Sequence, residues 1–302
     1  MPMKRHVDGV LLLDKPAGLT SNGALQQAKR LYRAHKAGHT GTLDPFATGL
    51  LPLCLGEATK FSRFLLDADK VYLAELQLGV RTSSGDPEGA VLAQRPVRVG
   101  AGDLRALLPR FLGDIEQVPP MLSALKRDGR PLYEYARRGE DVARAPRRVR
   151  VHALDLQSWT GDRCVLRVHC GKGFYVRALA DDLGELLGCG AHLSALRRIA
   201  VGPFDIGGAS TLERLGEMTD AARDGCLQPT DVLVASLPAV TLDVEATWQV
   251  RHGQSVWLPR LRVGEQHRLY APDGGFLGVA QVDDHGKLAP RRLVAERGAP
   301  GG

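Results

Sequence analysis

The stretch Gly41-Thr42-Leu43-Asp44-Pro45-Phe46-Ala47-Thr48-Gly49 holds a single ionisable side chain, Asp44, between two glycines. A residue that precedes proline is driven out of the helical region, so Asp44 is set extended, and the glycines leave a ligand room to approach. A carboxylate fixed in this way suits a nucleophile or a general base. An ordinary Asp-Pro turn start accounts for the same spacing. Arg177 lies in the first turn of a helix opened by Gly173, where the helix dipole disfavours a cation. A carboxylate partner offsets that cost, and pairing with Asp44 would keep the acid ionised at neutral pH; a solvated helix-end arginine is the alternative. Tyr72 and Tyr175 read by default as core or sheet-edge aromatics. His35 and His39 are four apart, as two metal ligands on a helix would be, but Gly38 and the lack of a third ligand argue against that. Neither G-x-x-x-x-G-K-[ST] nor a convincing G-x-G-x-x-G occurs, and Gly171-Lys172-Gly173 is too short to serve, so nothing calls for a nucleotide, a nicotinamide or a metal.

These residues need a scaffold, and the pattern supplies one. Gly9–Leu13 reads as a strand ended by the turn Asp14–Gly18. Thr20, Ser21 and Asn22 offer N-caps for a helix through about Tyr32. Residues 37–49 form a shaped loop. Leu50–Leu55 and Val71–Leu78 read as strands with a short helix, Glu57–Leu66, between them, and a turn follows at Ser83–Pro87. Asp103–Phe111 is helical. After Pro119-Pro120 come a turn at Asp128-Gly129 and a short helix at Leu132–Arg138. Arg147–Leu156 and Cys164–His169 alternate as strands, and Phe174–Leu187 is a helix. Strands and helices mingle without regular alternation, which predicts an α+β fold around a mostly antiparallel sheet. Beyond Pro238, short apolar runs at Ser255–Leu258, His267–Ala271, Phe276–Val282 and Arg292–Val294 are punctuated by turn residues and by Pro290. They predict a small β-barrel or sandwich.

At 302 residues the chain exceeds what one compact core usually holds, so two unequal domains are expected, residues 1–237 and 238–302. Hydrophobic residues at 44% and charged ones at 25% are ordinary for a globular protein, and no apolar run is long enough for a bilayer span. The apolar stretch behind the basic start is too short for a signal peptide, which points to the cytoplasm. Five cysteines without a C-x-x-C read as reduced thiols. The net charge of +6 is unevenly placed. Residues 121–150 hold nine Lys/Arg against four acids, and residues 26–39 hold Lys29, Arg30, Arg33 and Lys36 with no acid. Such concentration suits a phosphate backbone, although a solvated basic face has the same composition. Aromatic residues at 5% are too few for a long base-stacking platform, so RNA would be held by shape and phosphates.

Three segments then resemble one family. GVLLLDKPAGLTS from residue 9, AGHTGTLDPFATGLLPLCLGEATKF from residue 37 and KGFYVRALADDLGELLGCGAHLSALRRIAVGPF from residue 172 resemble the bacterial TruB family, the tRNA pseudouridine synthases acting on uridine-55 of the TΨC loop. The match runs in order over about residues 9–205, and the tail resembles a PUA RNA-binding domain. The resemblance implies a pseudouridine synthase fold with a central mixed sheet, base flipping, no cofactor and no metal, and tRNA as partner of a monomer. It implies that Asp44 is the catalytic aspartate, that Tyr72 packs under the flipped uracil and assists later proton removal, and that Arg177 pairs with Asp44. It associates His39 with flipping, and aligns Lys15, Lys60, Asp86, Tyr175 and Leu196 with pocket or pocket-supporting positions. Residues 121–150 correspond to the insertion that closes on the T-loop. Ser83-Ser84-Gly85 and Phe174 depart from the usual pattern. The rivals are a non-catalytic RNA-binding or RNA-folding factor on the same scaffold and a pseudouridine synthase with another RNA target. A glycoside hydrolase would need a second facing carboxylate, and the sequence shows none beside Asp44.

Overall fold

Gly9–Lys15 is apolar on both faces, and both faces are covered: Leu11 and Leu13 enter one core, Val10 and Leu12 another. The structure, a computed structural model describing residues 3–123 and 125–295, builds a large mixed sheet on this strand. Across it the order is Leu227–Gln228, Gly9–Lys15, Thr48–Leu55, Ala191–Val201, Lys70–Leu78, Arg163–Cys170, Arg147–Thr160 and Gly113–Gln117. Every pairing is antiparallel except Thr48–Leu55 against Ala191–Val201, where Arg197 and Arg198 face Thr48 and Gly49. The fold is α+β, with a mixed and mostly antiparallel sheet.

One core lies under the helices Ser21–Leu31 and Val176–Leu186, which contribute Ala24, Leu25, Leu179 and Leu183. Each such leucine, once buried, contributes roughly 1.5–3 kcal/mol. The other core covers the Gly9–Lys15 and Thr48–Leu55 end together with Val201, through Phe61, Leu65 and Val234. The far half of that face, with Leu73, Glu75 and Val165, is an open cleft of about 430 Å³. Thr20 caps the first helix by accepting from Gly23 N. The Val176–Leu186 helix starts two residues later than expected, because Gln117 clasps Tyr175, donating to its carbonyl at 3.1 Å and accepting from its N–H at 2.9 Å. Phe174, one of the unusual residues, is buried in the main core.

A second, five-stranded sheet runs in the order Ala239–Thr241, Gln266–Tyr270, Phe276–Val282, Lys287–Leu293, Val256–Trp257. It has its own core around Leu269, Leu277 and Leu288, and Val279 and Phe276 reach into the neighbouring core, where Phe276 meets Phe61. Two readings of this region change. Pro290 does not end a strand: Ala280 faces Pro290 and Val279 faces Arg292, so a bulge absorbs the ring that cannot donate. Val244–Arg251 is a helix the pattern did not reveal, because Val244 and Trp248 are exposed while Ala246, Thr247 and Val250 are buried. Asp243 caps it by accepting from Ala246 N. Elsewhere, Ala37–His39 within the expected loop is a short strand on Thr48–Leu55, Gly56–Phe61 is 3₁₀ before the short helix Arg63–Leu66, and the polar segment Gly113–Gln117 is an edge strand. Burial pushes the thiols of Cys54, Cys164 and Cys170 up to about 12. Among the described residues no helix is long and apolar enough to cross a membrane.

Candidate active site

The loop bearing Asp44 is held from three sides. Ser21 Oγ accepts from Leu43 N at 2.7 Å and donates to Leu43 O at 2.9 Å, and Gly18 N donates to Pro45 O at 2.9 Å. Ala47 N donates to Asp44 O at 3.1 Å, which closes the Asp-Pro turn. The turn and the candidate nucleophile are therefore the same feature. Lys15, fully buried, gives its ammonium protons to the carbonyls of Pro16 (2.8 Å), Leu19 (2.7 Å) and Pro45 (3.2 Å). Burial pulls its pKa down to about 8 against the opposing charge of Asp44. Lys15 is thus a clamp on the backbone beside the acid.

Arg177 meets Asp44 as a fork: Nε lies 3.0 Å from Oδ2, and Nη2 donates to Oδ1 at 3.3 Å. Its other donors are also engaged. Nη2 reaches Leu122 O at 2.7 Å, while Nη1 reaches Ser84 O at 3.2 Å and lies 3.4 Å from Asp86 Oδ2. The planar guanidinium thus makes three hydrogen bonds and lies within ion-pair distance of both carboxylates. The side chain of Arg177 is 5% exposed and that of Asp86 3%, whereas Asp44 keeps 32% and is the member that incoming substrate can reach. Burial raises the pKa of Asp44 above the usual carboxylate value, the charge of Arg177 opposes that rise, and the charge of Asp86 adds to it. Desolvation is the largest of these influences.

Asp86 also corrects the reading that Asp44 has no carboxylate neighbour. It shares the guanidinium, yet it is sealed beneath it and cannot face a substrate as a glycosidase partner would. The departures at Ser83-Ser84-Gly85 support it: Ser84 Oγ donates to Asp86 Oδ1, Glu88 N donates to the same oxygen at 3.1 Å, and Ser83 Oγ accepts from Ala90 N at 3.1 Å. Gly85, at φ +73°, lets this loop pass under Arg177, whose Cβ would be 3.3 Å from an added Cβ. Arg81 fixes the helix to the same loop through a bidentate pair with Asp181, at 2.7 and 3.0 Å.

Tyr72 stands on the strand opposite Arg198, its cross-strand partner. Burial raises its pKa, with the charge of Arg198 pulling the other way. Burial likewise lowers the pKa of His39, helped by Arg198, and His39 Nδ1 is buried with no hydrogen-bond partner among the described residues. Arg198 is the residue the sequence reading missed. Fully buried, it donates to Leu50 O at 2.8 Å and Gly41 O at 3.4 Å, tying both ends of the Asp44 loop. An available signal was the pair Arg197-Arg198 inside the apolar strand LSALRRIAV, since alternation must turn one of two adjacent arginines inward. Gly49 lies so close to Arg198 O that an added Cβ would fall 2.2 Å away.

The remaining expected residues divide. The Tyr175 backbone is held by Gln117, immediately before Arg177, and Leu196 lines the open cleft with Phe46, Leu73 and Arg197. Lys60 is elsewhere: it lies 2.7 Å from Glu57 Oε2 and donates to Leu293 O at 2.9 Å, joining the second sheet to the first part of the chain. Asp44, Asp86, Arg177 and Lys15 therefore form one charged corner, and Lys60 takes no part in it.

Comparison with known proteins supplies the family. Residues 29–176 match the model described as TruB family pseudouridylate synthase (N terminal domain), 177–235 the tRNA pseudouridylate synthase B C-terminal domain, and 238–294 the C-terminal model of pseudouridine synthase II TruB. The tRNA pseudouridine synthase B of Thiobacillus denitrificans is 58% identical over 97% of this chain and 98% of its own. That of Aromatoleum aromaticum is 54% identical over 97% and 94%. Among solved structures, a Cbf5-Nop10-Gar1 complex superposes with a TM-score of 0.72 at 27% identity, covering 98% of this chain and 87% of the other.

Proposed function

The chain belongs to the TruB family of pseudouridylate synthases, and on that premise we propose that it isomerises uridine-55 in the TΨC loop of tRNA to pseudouridine. The observation that carries the reading is the partly exposed Asp44 carboxylate gripped as a fork by a buried arginine. The reaction breaks the N1–C1′ bond, turns the freed uracil and joins C5 to C1′, so atoms balance without a redox partner. A base inside a folded loop must first be extruded, which costs a few kcal/mol of stacking. Tyr72 gives a ring to pack beneath that base, and His39, whose Nδ1 has no partner among the described residues, offers a polar atom to the displaced nucleotide. With the base out, Asp44 as carboxylate has three first steps open to it: attack at C1′, attack at C6, or removal of the C2′ proton. After C5 has bonded to C1′ the C5 proton leaves, and the Tyr72 hydroxyl is the group assigned to assist it.

Lys15, Arg198 and Asp86 act by holding Asp44 and Arg177, not by touching RNA. Of residues 121–150, the last four open the sheet strand Arg147–Thr160, and the rest form a basic arm whose root lies on the ion pair, since Leu122 O accepts from Arg177. Its cations hold the phosphates of the T-arm, and residues 238–302, as a PUA-like domain after a catalytic domain of residues 1–237, add RNA contact. The enzyme works as a monomer in the cytoplasm. The test is turnover on unmodified tRNA with wild type and Asp44→Asn side by side, read as tritium release from 5-labelled uridine. Asp44→Asn is expected to bind tRNA within a few-fold of wild type and to lose at least about 10⁴-fold in rate, as loss of a nucleophile does. Persistent release would overturn the assignment, and a carbodiimide map of modified sites in a deletion strain separates tRNA from another RNA target.

A further inference from the structure

Away from the charged corner, the described residues bring together one set of three side chains able to ligate a metal: Asp69, His152 and His169. They come from adjacent parts of the sheet, with His169 on Arg163–Cys170, His152 on Arg147–Thr160 and Asp69 just ahead of Lys70–Leu78. Regular pairing would not converge them. Val151 faces Cys170 and Ala153 faces His169, so His152 is the additional residue of a β-bulge. Bulges re-aim side chains. This one sets the His152 ring against that of His169, with centroids 4.7 Å apart and planes at 41°.

Both rings turn the same nitrogen to the same carboxylate. His152 Nε2 lies 3.2 Å from Asp69 Oδ1, and His169 Nε2 lies 3.8 Å from Oδ2. A tetrahedral zinc with bonds of about 2.0–2.2 Å needs donor atoms about 3.3–3.6 Å apart. The two observed separations, which run to different oxygens of the one carboxylate, lie close to that spacing, and one donor atom from each of the three residues lies within 4.8 Å of the others. Two imidazoles and one carboxylate complete three positions and leave a fourth for water.

We propose that Asp69, His152 and His169 bind one divalent transition-metal ion, with zinc as the probe. The ion would tie three neighbouring strands at the end from which the chain passes through Gly171-Lys172-Gly173 into the Arg177 helix, where Gly171 N already donates to Arg150 O at 2.9 Å. The molecule contains its own control: His6 and His35 stack with centroids 4.9 Å apart but gain no third ligand among the described residues.

The test uses untagged full-length protein stripped with chelator and titrated calorimetrically with zinc chloride, with cobalt(II) absorption as the coordination signature. One ion per chain is expected, with affinity at least about tenfold weaker in His152→Gln and in His169→Gln, and unchanged in His6→Gln. Zinc should raise the melting temperature of wild type and of His6→Gln but not of the other two, and pseudouridine formation by all should match wild type. The half-exposed imidazoles can be replaced without opening the core. No saturable binding, or binding that persists in both His152→Gln and His169→Gln, overturns the site.

Discussion

Arg177 and two arginines of the basic arm, Arg130 and Arg138, carry the same guanidinium under opposite conditions. Arg177 is buried, hydrogen-bonded to Asp44, Ser84 O and Leu122 O, and paired with both Asp44 and Asp86. In the arm, Lys126, Arg130 and Arg138 are exposed and make no ion pair among the described residues, and Arg137 lies over the Tyr133 ring, 5.4 Å from its centre. The arm has little core of its own; Leu132 is buried, while Lys126–Arg127 and Arg130–Pro131 form a minimal hairpin around Asp128 at φ +49° and Gly129 at φ +79°. Chemistry on a nucleoside needs a charge whose position is over-determined. Capturing a phosphate backbone needs charges left without internal partners, on a segment able to follow the RNA.

The largest test of this contrast is Arg177→Lys. An ammonium cannot reproduce the planar fork, so turnover should fall about 10²–10³-fold, comparable to removing an aligned donor from an active site, while tRNA binding stays within a few-fold. Near-native turnover would mean that charge alone suffices and would erase the difference between the two regions. Asp86→Asn sharpens it. Asp44 is needed as carboxylate, and its raised pKa means that rate is lost as pH falls through a value above that of a free aspartate. Removing the negative charge of Asp86 lowers the pKa of Asp44, so the acid limb of the kcat–pH profile should move to lower pH. An unmoved limb, or one moved upward, would show that the two carboxylates are not electrically coupled. The smallest effect on rate belongs to the arm. Arg130→Gln combined with Arg138→Gln should weaken tRNA binding and make its salt dependence shallower, by about one unit of slope for each phosphate no longer neutralised. The single-turnover rate constant at saturating enzyme should not change; a fall would place these residues in the chemistry.

The part of the site that sequence could reveal was the part fixed by local geometry. Asp44 stood out because proline and two glycines constrain its own backbone, and Arg177 because a cation in a first helical turn invites an anion. Arg198 and the clamping role of Lys15 stayed hidden because both act on carbonyl oxygens, which every residue has and no pattern marks. Asp86 joined the site only through the turn that carries it beneath Arg177. In the scaffold, alternating strands such as Val71–Leu78 were legible, whereas Gly113–Gln117 was not, since an edge strand with polar side chains carries no apolar alternation. The Val244–Arg251 helix was obscured by Trp248 and Val244 facing solvent.

The parallel contact between Thr48–Leu55 and Ala191–Val201 also bears on when the enzyme becomes competent during its own synthesis. Asp44 and Arg177 are 133 residues apart, and Arg198 grips Leu50 across 148. At about 5–20 residues per second, a ribosome makes Asp44 on the order of ten seconds before either arginine exists. The nascent loop therefore waits as an uncommitted carboxylate, and no shortened translation product ending before residue 198 can hold it in working order.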